Sequence, residues 1–244
     1  MKMLCSLLFL STLLLLFAAP SRAGIQLDST RVIYPADKRE VTLAITNHAD
    51  TPRLIQAWVD NGDSDSSAQS NAAPFIVMPY IFRLDPDKDQ TLRIIFTDGN
   101  VPQDRESVFW LNVLEIQPKH TEKQADRNTM KVTIRTRLKL FYRPQGLAGS
   151  PKDALTQLRW RRVPQEKGYA VECENPTPWN ISFNHVGLKG ESLGDEARQS
   201  GMCPAKGKRT FSLRWMPENA GGELTLITID DFGGYHTEEV NYSR

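Results

Sequence analysis

Cysteine is scarce, with three in 244 residues. That excludes a small disulfide-stapled scaffold, so the chain must bury a sizeable core. Neither sign of charge dominates, since 30 Lys and Arg face 29 Asp and Glu and the sequence pI is about 7.7. Nucleic-acid binding driven by bulk positive charge is thereby excluded. With 40% apolar residues, intrinsic disorder is excluded as well. The four histidines, His48, His120, His185 and His236, are scattered, with no His/Cys/Asp grouping at metal-ligand spacing. A nucleophile elbow and a phosphate-binding glycine loop are missing too, so no catalytic residue, metal or cofactor is expected. The stretch Asp60-Asn61-Gly62-Asp63-Ser64-Asp65 looks like a calcium loop but lacks Gly at its sixth position and Glu at its twelfth. It reads as a solvated loop.

The one long apolar run is at the start. Lys2 precedes an uncharged stretch of about 17 residues, which ends at Pro20 and Ser21-Arg22-Ala23 with small residues at the positions expected of a cleavage site. This predicts a secretory signal peptide, residues 1–23, cleaved after Ala23; the alternative is an N-terminal membrane anchor. Cleavage removes Cys5 and leaves Cys173 and Cys203. In an oxidising compartment these two most economically pair, closing a loop of about 30 residues for about 3–4 kcal/mol, and the alternative is two buried free thiols.

After Gly24 the apolar residues recur every second position. Val41, Leu43 and Ile45 alternate with Thr42, Ala44 and Thr46, and Leu92, Ile94 and Phe96 with Thr91, Arg93 and Ile95. Period two predicts half-buried strands, also over 25–34, 54–60, 108–116, 129–142, 170–174, 179–186, 210–215 and 224–229. Turn-forming clusters such as Asp85-Pro86-Asp87 and Asp98-Gly99-Asn100 separate them, and no helical window exceeds about two turns. The pattern predicts an all-β chain of antiparallel sandwiches. Alternation stops around 142–152, where Pro144, Gly146, Gly149 and Pro151 suggest a connection. We expect two immunoglobulin-like domains, residues 24–143 and 144–244.

Residues 129–142 are the most informative strand. Met130, Val132, Ile134, Leu138 and Leu140 share one face, and Lys131, Thr133, Arg135, Arg137 and Lys139 the other. An ordinary sandwich strand would look like this, apolar inward and charged outward. So would an edge strand whose charges deter random pairing while its apolar row accepts a specific partner.

The run from Val101 to Val113, VPQDRESVFWLNV, resembles the signature of the periplasmic chaperones of the chaperone–usher pilus pathway, the PapD-like family. Further resemblance lies in LDSTR at 27–31, KLFYRP at 139–144, ENPTP at 174–178 and DFGG at 231–234. It spans almost the whole chain after residue 23, with one departure: Gln117 intervenes between Ile116 and Pro118. The resemblance implies two immunoglobulin-like sandwiches in a boomerang that hold a pilus subunit by donor-strand complementation and deliver it to an outer-membrane usher. By motif position the lending strand is 129–142, with Met130, Val132 and Ile134 donated. Arg31 and Lys139 match the family's pair that holds the subunit's C-terminal carboxylate, which gives charge-assisted bonds. Simple alternation puts Lys139 opposite Met130, so a bulge or twist between them is expected if both touch the subunit. Arg83, Glu106 and Asp231 match an interdomain charge network. The short segment between Ile116 and Thr129 suggests the short-loop type that serves rod-like pili. Exposed donor strands also imply a self-capping dimer of the free protein. From a different class, the competing reading is a secreted two-domain adhesin or ligand-binding module.

Overall fold

A computed structural model describes residues 24–63, 65–67, 73–117, 132–166, 168–190, 199–213 and 221–243. The predicted signal peptide and Met130 lie outside these residues. The described chain is built of strands: β1 (Ile25–Leu27), β2 (Arg31–Pro35), β3 (Val41–Asn47), β4 (Arg53–Asp60), β5 (Phe75–Met78), β6 (Ile81–Leu84), β7 (Asp89–Phe96), β8 (Ser107–Ile116) and β9 (Ile134–Arg143) come first. One short helix, α1 (Pro151–Leu155), follows, started by the Ser150 hydroxyl accepting from the Asp153 amide at 3.2 Å. Then come β10 (Arg159–Pro164), β11 (Tyr169–Asn175), β12 (Ile181–Leu188), β13 (Gln199–Cys203), β14 (Gly207–Phe211), β15 (Gly222–Ile229) and β16 (Tyr235–Tyr242).

The strands form two pairs of sheets. In the first pair a four-stranded sheet, β1-β3-β7-β5, packs on a five-stranded sheet, β2-β9-β8-β4-β6. Leu43, Ile45, Leu92 and Ile94 from one and Ile55, Val59, Leu111 and Leu140 from the other are fully buried between them. In the second pair β10-β11-β14 packs on β13-β12-β15-β16 around Trp160, Phe183, Phe211, Leu224 and Leu226. Cys173 on β11 and Cys203 on β13 form a disulfide that ties these two sheets together. The free-thiol alternative is therefore set aside.

Several strands depart from the sequence pattern for identifiable reasons. The segment 25–34 is two strands: the Ser29 hydroxyl donates to the Arg31 carbonyl at 2.6 Å, and the chain crosses from one sheet to the other. In β16 every residue but Val240 and Tyr242 is exposed, so no apolar alternation marks it. In β5 the outward Ile76 and Met78 are as apolar as the inward Phe75 and Val77, which hides the period. β13 holds Gly201 because Phe211 packs there, and a Cβ would lie 2.8 Å from its ring.

Candidate functional site

Strand β9 carries the site. Its ladder with β8 runs unbroken from Ser107 opposite Tyr142 to Glu115 opposite Ile134. Alternation therefore holds throughout, and the expected bulge is absent from 134–143. Ile134, Thr136, Leu138, Leu140 and Tyr142 face the core, and Arg135, Arg137, Lys139, Phe141 and Arg143 face outward. The apolar row outruns the core: Leu140 is fully buried, whereas Ile134 is 50% exposed and Val132 49%.

The other edge of β9 is only partly covered. β2 pairs with it in parallel, beginning at Arg31 opposite Lys139 and ending at Pro35 opposite Arg143. Among the described residues, no strand pairs with that edge over 134–138. An open edge with an exposed apolar row thus ends where two cations stand side by side.

Both cations reach toward the second pair of sheets. The Arg31 Nη1 donates to the Ile229 carbonyl at 3.2 Å, and Lys139 Nζ donates to the Ser182 hydroxyl at 3.1 Å. Arg31 is 8% exposed, and its buried Nε has no hydrogen-bond partner among the described residues. Neither cation has a carboxylate within ion-pair distance among those residues. Burial, with the neighbouring Arg31 charge, pushes Lys139 down to about 8. Burial likewise lowers Arg31, against the pull of Asp231 and Asp230. Two desolvated cations with no carboxylate in direct contact among the described residues make an anion site. A cavity of about 490 Å3 opens beside Arg31, lined also by Glu106, Asn180, Asp231 and Phe232.

The expected charge network forms with a different arginine. Arg83, on the edge strand β6, is 69% exposed in its side chain and pairs with Asp85 at 2.8 Å, away from Glu106 and Asp231. Arg143 takes the place expected for it. Its Nε donates to Glu106 at 2.7 Å, its Nη1 and Nη2 donate to the two Asp231 oxygens at 2.8 and 3.0 Å, and its guanidinium lies 4.9 Å from the Trp179 ring centre. The reason is position in the sheet: Arg83 lies on β6, the edge strand farthest from β2, opposite Leu54 and so toward the Ile116 end of β8, whereas Arg143 follows Tyr142 opposite Ser107, beside Glu106. Glu106 also accepts from the Asn180 amide at 3.0 Å. Burial pushes its carboxyl up despite Arg143 and Asn180, which pull it down. The hairpin bearing Asp231 sits close to the first strands: a Cβ on Gly233, at φ +87°, would lie 2.5 Å from the Thr30 hydroxyl.

Asp60 was expected in a solvated loop. It is instead 2% exposed and bound by Arg135 and Arg137, so the arginines of the cationic face are themselves three-quarters covered. Sequence showed those cations on one face but not the carboxylate that receives them. For Arg143 a signal was available, since it lies in the KLFYRP run on the same outward face.

The chain is similar to known assembly chaperones. Residues 24–148 match the family described as "Pili and flagellar-assembly chaperone, PapD N-terminal domain", and residues 153–240 match "Pili assembly chaperone PapD, C-terminal domain". The chain is 40% identical over 230 residues to the probable fimbrial chaperone LpfB of Escherichia coli O157:H7, covering 92% of both. It is 36% identical over 221 residues to the chaperone protein FimC of Escherichia coli (strain K12), covering 90% of this chain and 84% of that one. The crystal structure of the YadV chaperone superposes with a TM-score of 0.73 at 31% identity, covering 90% of this chain and 100% of that one. A chain of the Salmonella enterica complex of SafA pilin with the SafB chaperone gives a TM-score of 0.73 at 29% identity, covering 93% and 99%. With both halves matched, the chain belongs to the PapD family of pili assembly chaperones.

Proposed function

We propose that this protein captures pilus subunits in the periplasm by lending them β9, and delivers them to an outer-membrane usher. The observation that carries this reading is the coincidence of the open edge over 134–138, the half-exposed Val132 and Ile134, and the buried Arg31 and Lys139 at its end. A subunit strand whose terminal carboxylate sits on these cations, and which lies along 138 to 134, runs parallel to β9 and prolongs β2 in line. Main-chain bonds set its register and contribute about 1 kcal/mol each. Met130 is donated as well in this reading, and completing the burial of Val132 and Ile134, each about half exposed, contributes on the order of 1.5–3 kcal/mol before ordering costs. Binding, without chemistry, is the whole action in this reading.

Residues 1–23 are the export signal, cut after Ala23, and the working domains are 24–143 and 144–244. The same apolar row supports a self-capping dimer of the free protein. Nothing in the site favours a nucleic acid, and the adhesin reading gains no support from two cations that donate to Ile229 and Ser182 of the second pair of sheets. The test is co-purification of a pilus subunit expressed with the chaperone in the periplasm. Ile134→Asp, Arg31→Ala and Lys139→Ala should each abolish or strongly reduce capture while the free variants remain folded. Undiminished capture by all three would sink the proposal.

A further inference from the structure

The outer face of a sandwich sheet normally meets water, yet on the sheet holding β9 it carries a buried polar cluster. Asp60, at the end of β4, is the centre of that cluster. Its carboxylate accepts from the Gly62 amide at 2.7 Å, the Ser66 hydroxyl at 2.5 Å and the Asn112 side-chain amide at 2.7 Å. Arg137 Nη2 adds bonds at 2.9 and 3.2 Å, and Arg135 Nη2 one at 3.3 Å. Arg135 also donates to Asn112 Oδ1 at 2.8 Å and to Ser66 Oγ at 3.0 Å, and Arg137 to the Asp63 carbonyl at 3.2 Å. Both guanidinium groups stack on indoles, Arg135 on Trp58 and Arg137 on Trp110, each 4.9 Å from the ring centre. Burial alone would raise the Asp60 carboxyl, but the bonds from Ser66, Gly62 and Asn112 and the charge of Arg137 hold it below its ordinary value.

The position of this cluster is informative. Arg135 and Arg137 belong to the half of β9 that β2 leaves uncovered, directly behind Ile134 and Leu138. A strand with one open edge and half its apolar row in water has little to hold it straight. The geometry points to Asp60 as a positioning residue that clamps the lending half of β9 from its outer face. The edge is thereby ready for a subunit before one arrives. An edge that is ordered in only a fraction of molecules binds with an affinity reduced by that fraction. The clamp rests on the lending-strand reading for its purpose, but its effect on β9 is independent of it.

Two measurements on Asp60→Asn and Arg135→Gln test this. Arg135 is at the rim, so its variant keeps the test valid should Asp60→Asn fail to fold. First, hydrogen exchange of the free protein: amides of 134–138 bonded to β8 should exchange at least tenfold faster, with those of 139–143 and of β15 unchanged. Ile45→Val, a core change in the opposite sheet, serves as a control, because general destabilisation would not single out 134–138. Second, the rate of capture of a denatured pilus subunit diluted into the variants should fall about three- to tenfold. Unchanged exchange in the folded variants overturns the clamp, and faster exchange with an unchanged capture rate overturns its role in readying the edge for a subunit. If Ile134→Asp captures normally, the lending-strand reading fails instead, and the exchange result alone decides whether Asp60 holds the strand.

Discussion

The two halves of β9 each turn two basic residues outward, Arg135 and Arg137 in one and Lys139 and Arg143 in the other, yet their environments are opposite. From Lys139 to Arg143 the strand is hydrogen-bonded on both sides, its inward Leu140 and Tyr142 are buried, and its outward Arg143 is locked between Glu106 and Asp231. From Ile134 to Leu138 it is bonded to β8 only, and Ile134 is half in water. What separates them is where β2 begins, and Arg31 and Lys139 stand at that boundary. The same row of side chains thus serves folding at one end and binding at the other.

The sharpest way to break this comparison is to truncate the same row at both ends. Leu140→Ala removes a fully buried side chain flanked by strands and should cost about 2–5 kcal/mol in denaturant unfolding. A loss comparable to that of an exposed residue would mean the paired half is not core.

The boundary itself is tested by pH. Lys139 is lowered from an ordinary 10.5 to about 8 by burial and by Arg31. Its buried charge opposes folding fully below pH 8, and this penalty is relieved as pH rises from 8 to 10.5, so its contribution to stability increases across that window. Binding has the opposite sense. A subunit carboxylate favours the charged ammonium, so capture near pH 8–9 takes up protons and affinity falls as pH rises above 8. Calorimetry in buffers of different ionisation heat should show this uptake for the native protein and its loss in Lys139→Met. No difference in proton uptake between the two proteins would remove Lys139 from the carboxylate site.

The smallest effect is expected at the open end. Ile134→Ala should cost the free protein no more than about 1.5 kcal/mol, because half of the side chain already lies in water. A cost near that of Leu140→Ala would erase the distinction between the halves.

Much of this was legible in sequence because it depends on local period. The strands with a polar outer row, such as β3 and β7, stand out, as do the pairing of Cys173 with Cys203 and the apolar and basic faces of β9. Strands β5 and β16 were not legible, since one is apolar on both faces and the other polar on nearly all of its length. The charge network exposes a second limit: Arg83 and Arg143 are both plausible partners for two distant carboxylates, and only the order and register of the strands choose between them.

By itself, the order of residues determined the all-β class, the candidate export signal and which side chains share a face, because these follow from composition and from a period of two. Tertiary structure decided which stretch of β9 is left without a neighbour, which arginine bridges Glu106 and Asp231, and that Asp60 is buried beneath Arg135 and Arg137. Those outcomes depend on where β2 starts and on how separate strands meet. Such contacts join residues as far apart as Arg143 and Asp231, and no local pattern encodes them.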